Sequence, residues 1–181
     1  MNDNNTERAR QEHLDECLTE WFKDGKGKSM LYVGGHLRFG RNLQMFSYFW
    51  TRHWKIDVIE IFHENILQLQ AIDKIHELIE GDIRTFDPMK QYDCVMFWHG
   101  VEHLEKSEVP KLLEHLKTYA DSIIFATPNG EYEQGAEYGN EHEKHLSTWY
   151  FADFLELGLK CCSLGNEDEK NGNLVAWWRR Q

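Results

Sequence analysis

The sequence predicts an α/β fold: a seven-stranded, mostly parallel sheet with an antiparallel C-terminal strand and helices on both faces. Two observations predict it. Short apolar runs alternate with stretches whose apolar residues recur at helical spacing, the pattern of parallel strands joined by crossover helices. The last two apolar runs follow each other with only a loop between them, the pattern of an antiparallel pair. The 181 residues suit a single domain, 1–181, with its own core, and the 41% apolar and 13% aromatic content places it among folded globular proteins.

Each element can be justified in order. Thr6 to Phe22 reads as a helix, because Leu14, Leu18, Trp21 and Phe22 recur at helical spacing with charges between them. Gly25 and Gly27 end it, so residues 1–28 form an N-terminal helix and cap. A first strand, Ser29 to Val33, runs into Gly34-Gly35, and Arg41 to Arg52 follows as a helix with Leu43, Phe46 and Trp50 on one face. Ile56 to Ile61 is the second strand, Glu64 to Ile72 a short helix, Ile75 to Glu80 the third strand and Tyr92 to Phe97 the fourth. Val109, Leu112, Leu113, Leu116 and Tyr119 then make one buried helical face, with Ser107 as its expected cap and Pro110 in the first turn. Ser122 to Ala126 is the fifth strand, stopped by Thr127-Pro128-Asn129-Gly130, which closes a core of residues 29–130. In the remainder, 131–181, Glu131 to Thr148 is polar and unpatterned and reads as a long loop. Trp149 to Leu157 is a helix closed by Gly158, and Leu159 to Leu164 and Asn173 to Trp178 are the final strands. Trp177 and Trp178 are expected to pack on opposite sides of the last one.

Charge and composition narrow the function. The formal net charge of -11 argues against binding through nucleic-acid phosphates or an anionic membrane, where basic surface supplies most of the affinity. No apolar run is long enough to span a bilayer, and the polar start of the chain lacks a signal-peptide core. Cys17, Cys94, Cys161 and Cys162 form no CxxC pair and no disulfide framework, which fits a reducing compartment, so the expectation is a cytoplasmic protein.

In a parallel sheet of this kind ligands bind beyond the carboxyl ends of the strands. The residues there are informative. After the first strand, Gly34 and Gly35 open the run to Gly40, where glycine lets backbone approach a ligand closely. Glu60 ends the second strand 26 positions beyond Gly34, a spacing at which a carboxylate can accept from both ribose hydroxyls of a nucleotide. Gly81-Asp82-Ile83 follows the third strand and offers a carboxylate for an adenine amino group and an aliphatic side chain to pack on the ring. Trp98-His99-Gly100-Val101-Glu102-His103-Leu104 follows the fourth.

This ordered series resembles the class I methyltransferases, the Rossmann-like family that uses S-adenosylmethionine. The likeness is greatest to its small-molecule group, in the segment Tyr92-Asp93-Cys94-Val95 followed by Gly100-Val101-Glu102-His103-Leu104. The resemblance extends over Ser29 to Trp178. It implies that S-adenosyl-L-methionine is the cofactor, with Gly34 and Gly35 at its methionine part, Glu60 at the ribose, Asp82 and Ile83 at the adenine, and Trp98 and His99 lining the pocket. It also implies a small-molecule acceptor, on the side of the segment from Asn140 to Trp149. In the first motif Tyr32 stands where an acidic residue is usual, and His36 and Arg38 take the later glycine positions.

Within the acceptor-side loop His145 is the candidate catalytic residue, since imidazole suits proton transfer near neutrality and the residue adjoins the helix that anchors the loop. His142, between Glu141 and Glu143, reads as solvated. Two other readings stay open. The degenerate glycine motif fits a non-catalytic binding or partner protein. His99-Gly100-Val101-Glu102-His103 also fits H-x-x-E-H, a zinc-peptidase pattern, with His142 or His145 as a third ligand. Gly100 is a poor helix residue and the pattern follows a strand directly, so the expectation is that no metal is bound.

Overall fold

A computed structural model describes residues 28–35, 41–164 and 172–181. The expected N-terminal helix, the His36 to Gly40 part of the first motif and the acidic tip at Glu167 to Lys170 lie outside the described residues. In chain order the elements are β1 (Ser29–Val33), α1 (Arg41–Trp50), β2 (Lys55–Glu60), α2 (His63–Leu69), β3 (Glu77–Glu80), β4 (Cys94–Trp98), α3 (Val109–Leu116), β5 (Ser122–Pro128), α4 (Phe151–Glu156), β6 (Lys160–Leu164) and β7 (Asn173–Arg179). Two 3-10 turns, Val101–His103 and Glu141–Glu143, interrupt the loops.

The strands form one sheet in the order β3-β2-β1-β4-β5-β7-β6. Strands β1 to β5 are parallel. Strand β7 enters between β5 and β6 and runs antiparallel to both, so the reversed strand lies one place in from the edge. Strand order reverses between β1 and β4, which makes their carboxyl ends the switch point where such sheets bind ligands.

Alternation along the strands sorts the apolar side chains into two cores. Met30, Tyr32, Ile56, Val58, Cys94, Met96, Trp98, Ile124, Ala126 and Val175 pack with Phe46 and Phe49 of α1 and Leu69 of α2. Leu31, Val33, Val95, Phe97, Ile123, Phe125 and Leu174 pack with α3 and α4. The face expected for α3, Val109, Leu112, Leu113, Leu116 and the following Tyr119, is buried throughout. Trp177 and Trp178 do divide between the two cores. Tyr32 has the same cause as its neighbours: it is fully buried and meets Phe46 edge-on at 4.9 Å, so the position that would carry an acid in the resembling family serves packing here.

Element ends differ where turns intervene. Helix α2 stops at Leu69 because Ala71 and Ile72 turn their N–H groups to carbonyls three residues back. Trp149 is not helical: it pairs with Gly130 in an isolated bridge, and α4 begins at Phe151 with Asp153 Oδ2 accepting from the Tyr150 N–H at 2.7 Å. Ser107 does not cap α3, since Glu108 holds the N-cap position, with no side-chain capping bond.

Candidate functional site

Glu60 ends β2 with its side chain almost wholly buried. Oε1 accepts from the Phe62 N–H at 2.7 Å, which fixes the carboxylate at the strand end. Burial pushes its pKa up to about 7, further raised by the charge of Glu143, against hydrogen bonding from Phe62, Gly35 and Asn65 that favours the charged form. The Asn65 amide lies close enough for that influence but makes no hydrogen bond of full geometry, although it too is buried.

The two glycines after β1 do different work. Gly34 has φ +73 and donates its N–H to the Ile59 carbonyl at 2.9 Å, and a Cβ there would meet nothing within 4 Å among the described residues. It therefore supplies a left-handed turn at the β1/β4 switch point. Gly35 faces the core: a Cβ would come within 2.9 Å of Val58 Cγ1 and 3.3 Å of Leu69 Cδ1. Its lack of a side chain is needed for packing between β2 and α2.

Asp82 follows β3 and is clamped by Arg84. Its Oδ1 and Oδ2 each accept from Nε at 3.0 Å, Oδ2 also accepts from Nη2 at 2.7 Å, and the same guanidinium reaches Glu108. Burial alone would raise the Asp82 pKa, and the Arg84 hydrogen bonds and charge outweigh it and lower it. Ile83 beside it is buried in the α3 core. Sequence reading missed Arg84, whose only signal was its place two residues after Asp82.

At the end of β4 the chain turns sharply. Trp98 is buried against the α1 face, with Nε1 unpaired among the described residues. His99 takes φ 57, donates its N–H to the Ala126 carbonyl at 2.9 Å, and sets Nδ1 3.3 Å from Glu102 Oε1. Glu102 is 2% exposed and its Oε2 has no hydrogen-bond partner among the described residues. Burial would raise its pKa, but the hydrogen bond and charges of His99 and His103 hold it below the ordinary carboxylate value. The H-x-x-E-H pattern does not form the long helix a zinc peptidase needs: His99 lies outside the three-residue turn, in a left-handed conformation.

Residues 131–148 form a loop whose ends meet at the Gly130–Trp149 bridge, and it is hydrogen-bonded along its length. The backbone N–H groups of Leu146 and Ser147 both donate to the Glu102 carbonyl, at 2.9 and 3.1 Å. Lys106 Nζ donates to the Thr148 carbonyl and pairs with Asp153. His103 Nδ1 also lies 3.1 Å from the Lys144 carbonyl, so the loop is held against the turn after β4 at the carboxyl edge of the sheet. His145 stacks edge-on with His103, ring centroids 4.9 Å apart, and its Nδ1 lies 2.6 Å from the Tyr132 carbonyl. Burial lowers its pKa. His142 is exposed, as its sequence neighbours suggested.

The site thus gathers Gly34, Glu60, Asp82, His99 and His145 at one edge of the sheet, while Gly35, Ile83 and Trp98 serve mainly the core.

No family model matches the sequence, and no curated protein does either. Solved structures do. The N-methyltransferase NodS from Bradyrhizobium japonicum is similar over 99% of this chain and 99% of its own, with a TM-score of 0.64 and 15% identity. The plantazolicin methyltransferase BpumL, in complex with S-adenosylhomocysteine, is similar over 97% of this chain and 84% of its own, with a TM-score of 0.69 and 13% identity. Magnesium protoporphyrin IX methyltransferase from Synechocystis, with the same compound bound, is similar over 100% and 89%, with a TM-score of 0.62 and 11% identity.

Proposed function

We propose that this chain, which has the fold of the class I methyltransferases, transfers a methyl group from S-adenosyl-L-methionine to a small-molecule acceptor. The observation that carries this reading is the buried Glu60 carboxylate at the end of β2, on the strand next to the one that leads into the left-handed Gly34 at the switch point. Similar structures bind S-adenosylhomocysteine, and they include methyltransferases of small molecules.

The residues fit that cofactor with one qualification. Glu60 can accept from ribose hydroxyls, and Gly34, with no side chain, lets the backbone approach the methionine part closely. Asp82 can accept from the adenine amino group only while sharing its carboxylate with Arg84. Trp98 and His99 would bound the pocket beyond β4. A sulfonium methyl is already activated, so the cofactor brings the reactivity. The protein's part is to hold the acceptor in line with the methyl–sulfur bond and to exclude water. On the acceptor side, His145 orients or deprotonates the acceptor. A carbonyl can only accept, so the Nδ1 proton of His145 points to Tyr132 and its Nε2 carries the lone pair.

Calorimetry with S-adenosylhomocysteine tests the reading. Binding is expected, and Glu60→Ala should weaken it by about 1–3 kcal/mol, the worth of a hydrogen bond to a charged group. Unchanged affinity in a folded Glu60→Ala protein removes the ribose role, and no binding by the parent favours the non-catalytic alternative.

A further inference from the structure

We propose that Glu102, His103 and His145 bind a divalent transition-metal ion through Glu102 Oε2 and the Nε2 atoms of both histidines. A potential ligand atom on each of the three residues lies within 4.8 Å of those on the other two, and the choice of Oε2 and the two Nε2 atoms follows from what holds the other atoms. They come from the turn after β4 and from the loop after β5, at the carboxyl edge where this class of sheet binds ligands.

The surroundings of each residue are those of a prepared ligand. Nδ1 of His103 lies 3.1 Å from the Lys144 carbonyl, and Nδ1 of His145 lies 2.6 Å from the Tyr132 carbonyl. Both carbonyls can only accept, so both Nδ1 atoms carry the proton and both Nε2 atoms carry a lone pair. A metal-bound histidine is ordinarily oriented in this way, its other ring nitrogen donating to a backbone carbonyl. Glu102 repeats the arrangement in carboxylate form: Oε1 is held by His99, and Oε2 is buried without a partner among the described residues. A buried, unpaired carboxylate oxygen is costly unless something positive reaches it. An ion supplies that charge.

Two imidazoles and one carboxylate suit zinc, cobalt, manganese or iron(II), not calcium or magnesium, which prefer all-oxygen sites. Three protein ligands also leave coordination positions open. On the methyltransferase reading, which this last step needs, an acceptor oxygen fills one of them. The ion lowers the pKa of that hydroxyl, its proton passes to water, and the oxygen takes the methyl as the carbon–sulfur bond breaks. With the ion bound, the Nε2 lone pair of His145 is committed to it, so His145 orients the acceptor through the ion and takes no proton from it. The ion itself does not depend on that step.

The other cluster of similar composition among the described residues, Asp57, His76 and Glu77, is already satisfied. Lys90 pairs with both carboxylates, at 2.5 and 3.1 Å, and Tyr92 donates to Asp57 at 2.9 Å.

The test uses the full chain stripped of metal and titrated with cobalt(II) followed by visible absorption, and with zinc(II) by calorimetry. One ion per chain is expected. Glu102→Gln, His103→Ala and His145→Ala should each weaken binding by at least the roughly 10–100-fold that loss of an outer-shell partner costs, while His76→Ala leaves it unchanged. Should Glu102→Gln fail to fold, the half-exposed His145→Ala decides. No binding by the parent, equal binding by a folded His145→Ala, or loss in His76→Ala overturns the site. S-adenosylhomocysteine binding, measured on the same samples, separates failure of the metal site from failure of the methyltransferase reading.

Discussion

A carboxylate buried at a strand end is expensive, and Glu60 shows how the cost depends on pH. Its pKa in the fold is about 7, against an ordinary 4.5. A raised acid pKa means that the folded protein resists ionisation. The destabilisation is absent below 4.5, grows between the two values and is complete above 7, where it amounts to roughly 3 kcal/mol at about 1.4 kcal/mol per pH unit. Glu60→Gln is therefore expected to stabilise the protein at pH 8 by an amount of that order and to do nothing at pH 4, as urea denaturation at the two pH values would show. The same substitution should flatten the pH dependence of cofactor binding. In the proposed ribose role, hydroxyls donate to the ionised carboxylate, so affinity of the parent for S-adenosylhomocysteine should rise from pH 6 to pH 8. A pH-independent parent would detach Glu60 from the ligand. Stability given up for a poised carboxylate is a common trade at binding sites.

At the scale of elements, the six-residue α4 is too short to persist without tertiary packing. Phe154 provides it, fully buried and stacked on Trp149 at 4.8 Å and near Phe125 at 6.3 Å. Phe154→Ala should cost about 3–5 kcal/mol in denaturant unfolding. Because Trp149 closes the 131–148 loop through its bridge to Gly130, the same variant should speed hydrogen exchange at Leu146 and Ser147, whose N–H groups donate to the Glu102 carbonyl. Unchanged exchange there would show that the loop holds its place without α4. Sequence reading found this loop by its lack of pattern and located its ends within a residue or two. It did not find the bridge, because a single pair of residues 19 positions apart leaves no periodic trace.

For the whole molecule, the proposed ligand edge joins segments that are far apart in the chain, so binding should stabilise the fold as a unit. At a hundredfold excess over its dissociation constant, S-adenosylhomocysteine should add about 2.7 kcal/mol. For a chain of this size that is a rise of roughly 5–11 °C in Tm. A thermal scan showing no shift at saturating ligand would oppose the cofactor proposal. The sequence by itself determined the strand and helix alternation, the reversed β7, the two faces of the core and the positions at strand ends, because these follow from local periodicity and turn residues. Tertiary structure alone decided how those positions are used. It closed Arg84 on Asp82, assigned Gly35 to packing, and turned Tyr32 into the core. It also brought Glu102 and His103 to His145 across some forty residues of chain. Such meetings depend on which strand lies beside which and how a loop returns over the sheet, and no local pattern in the chain records them.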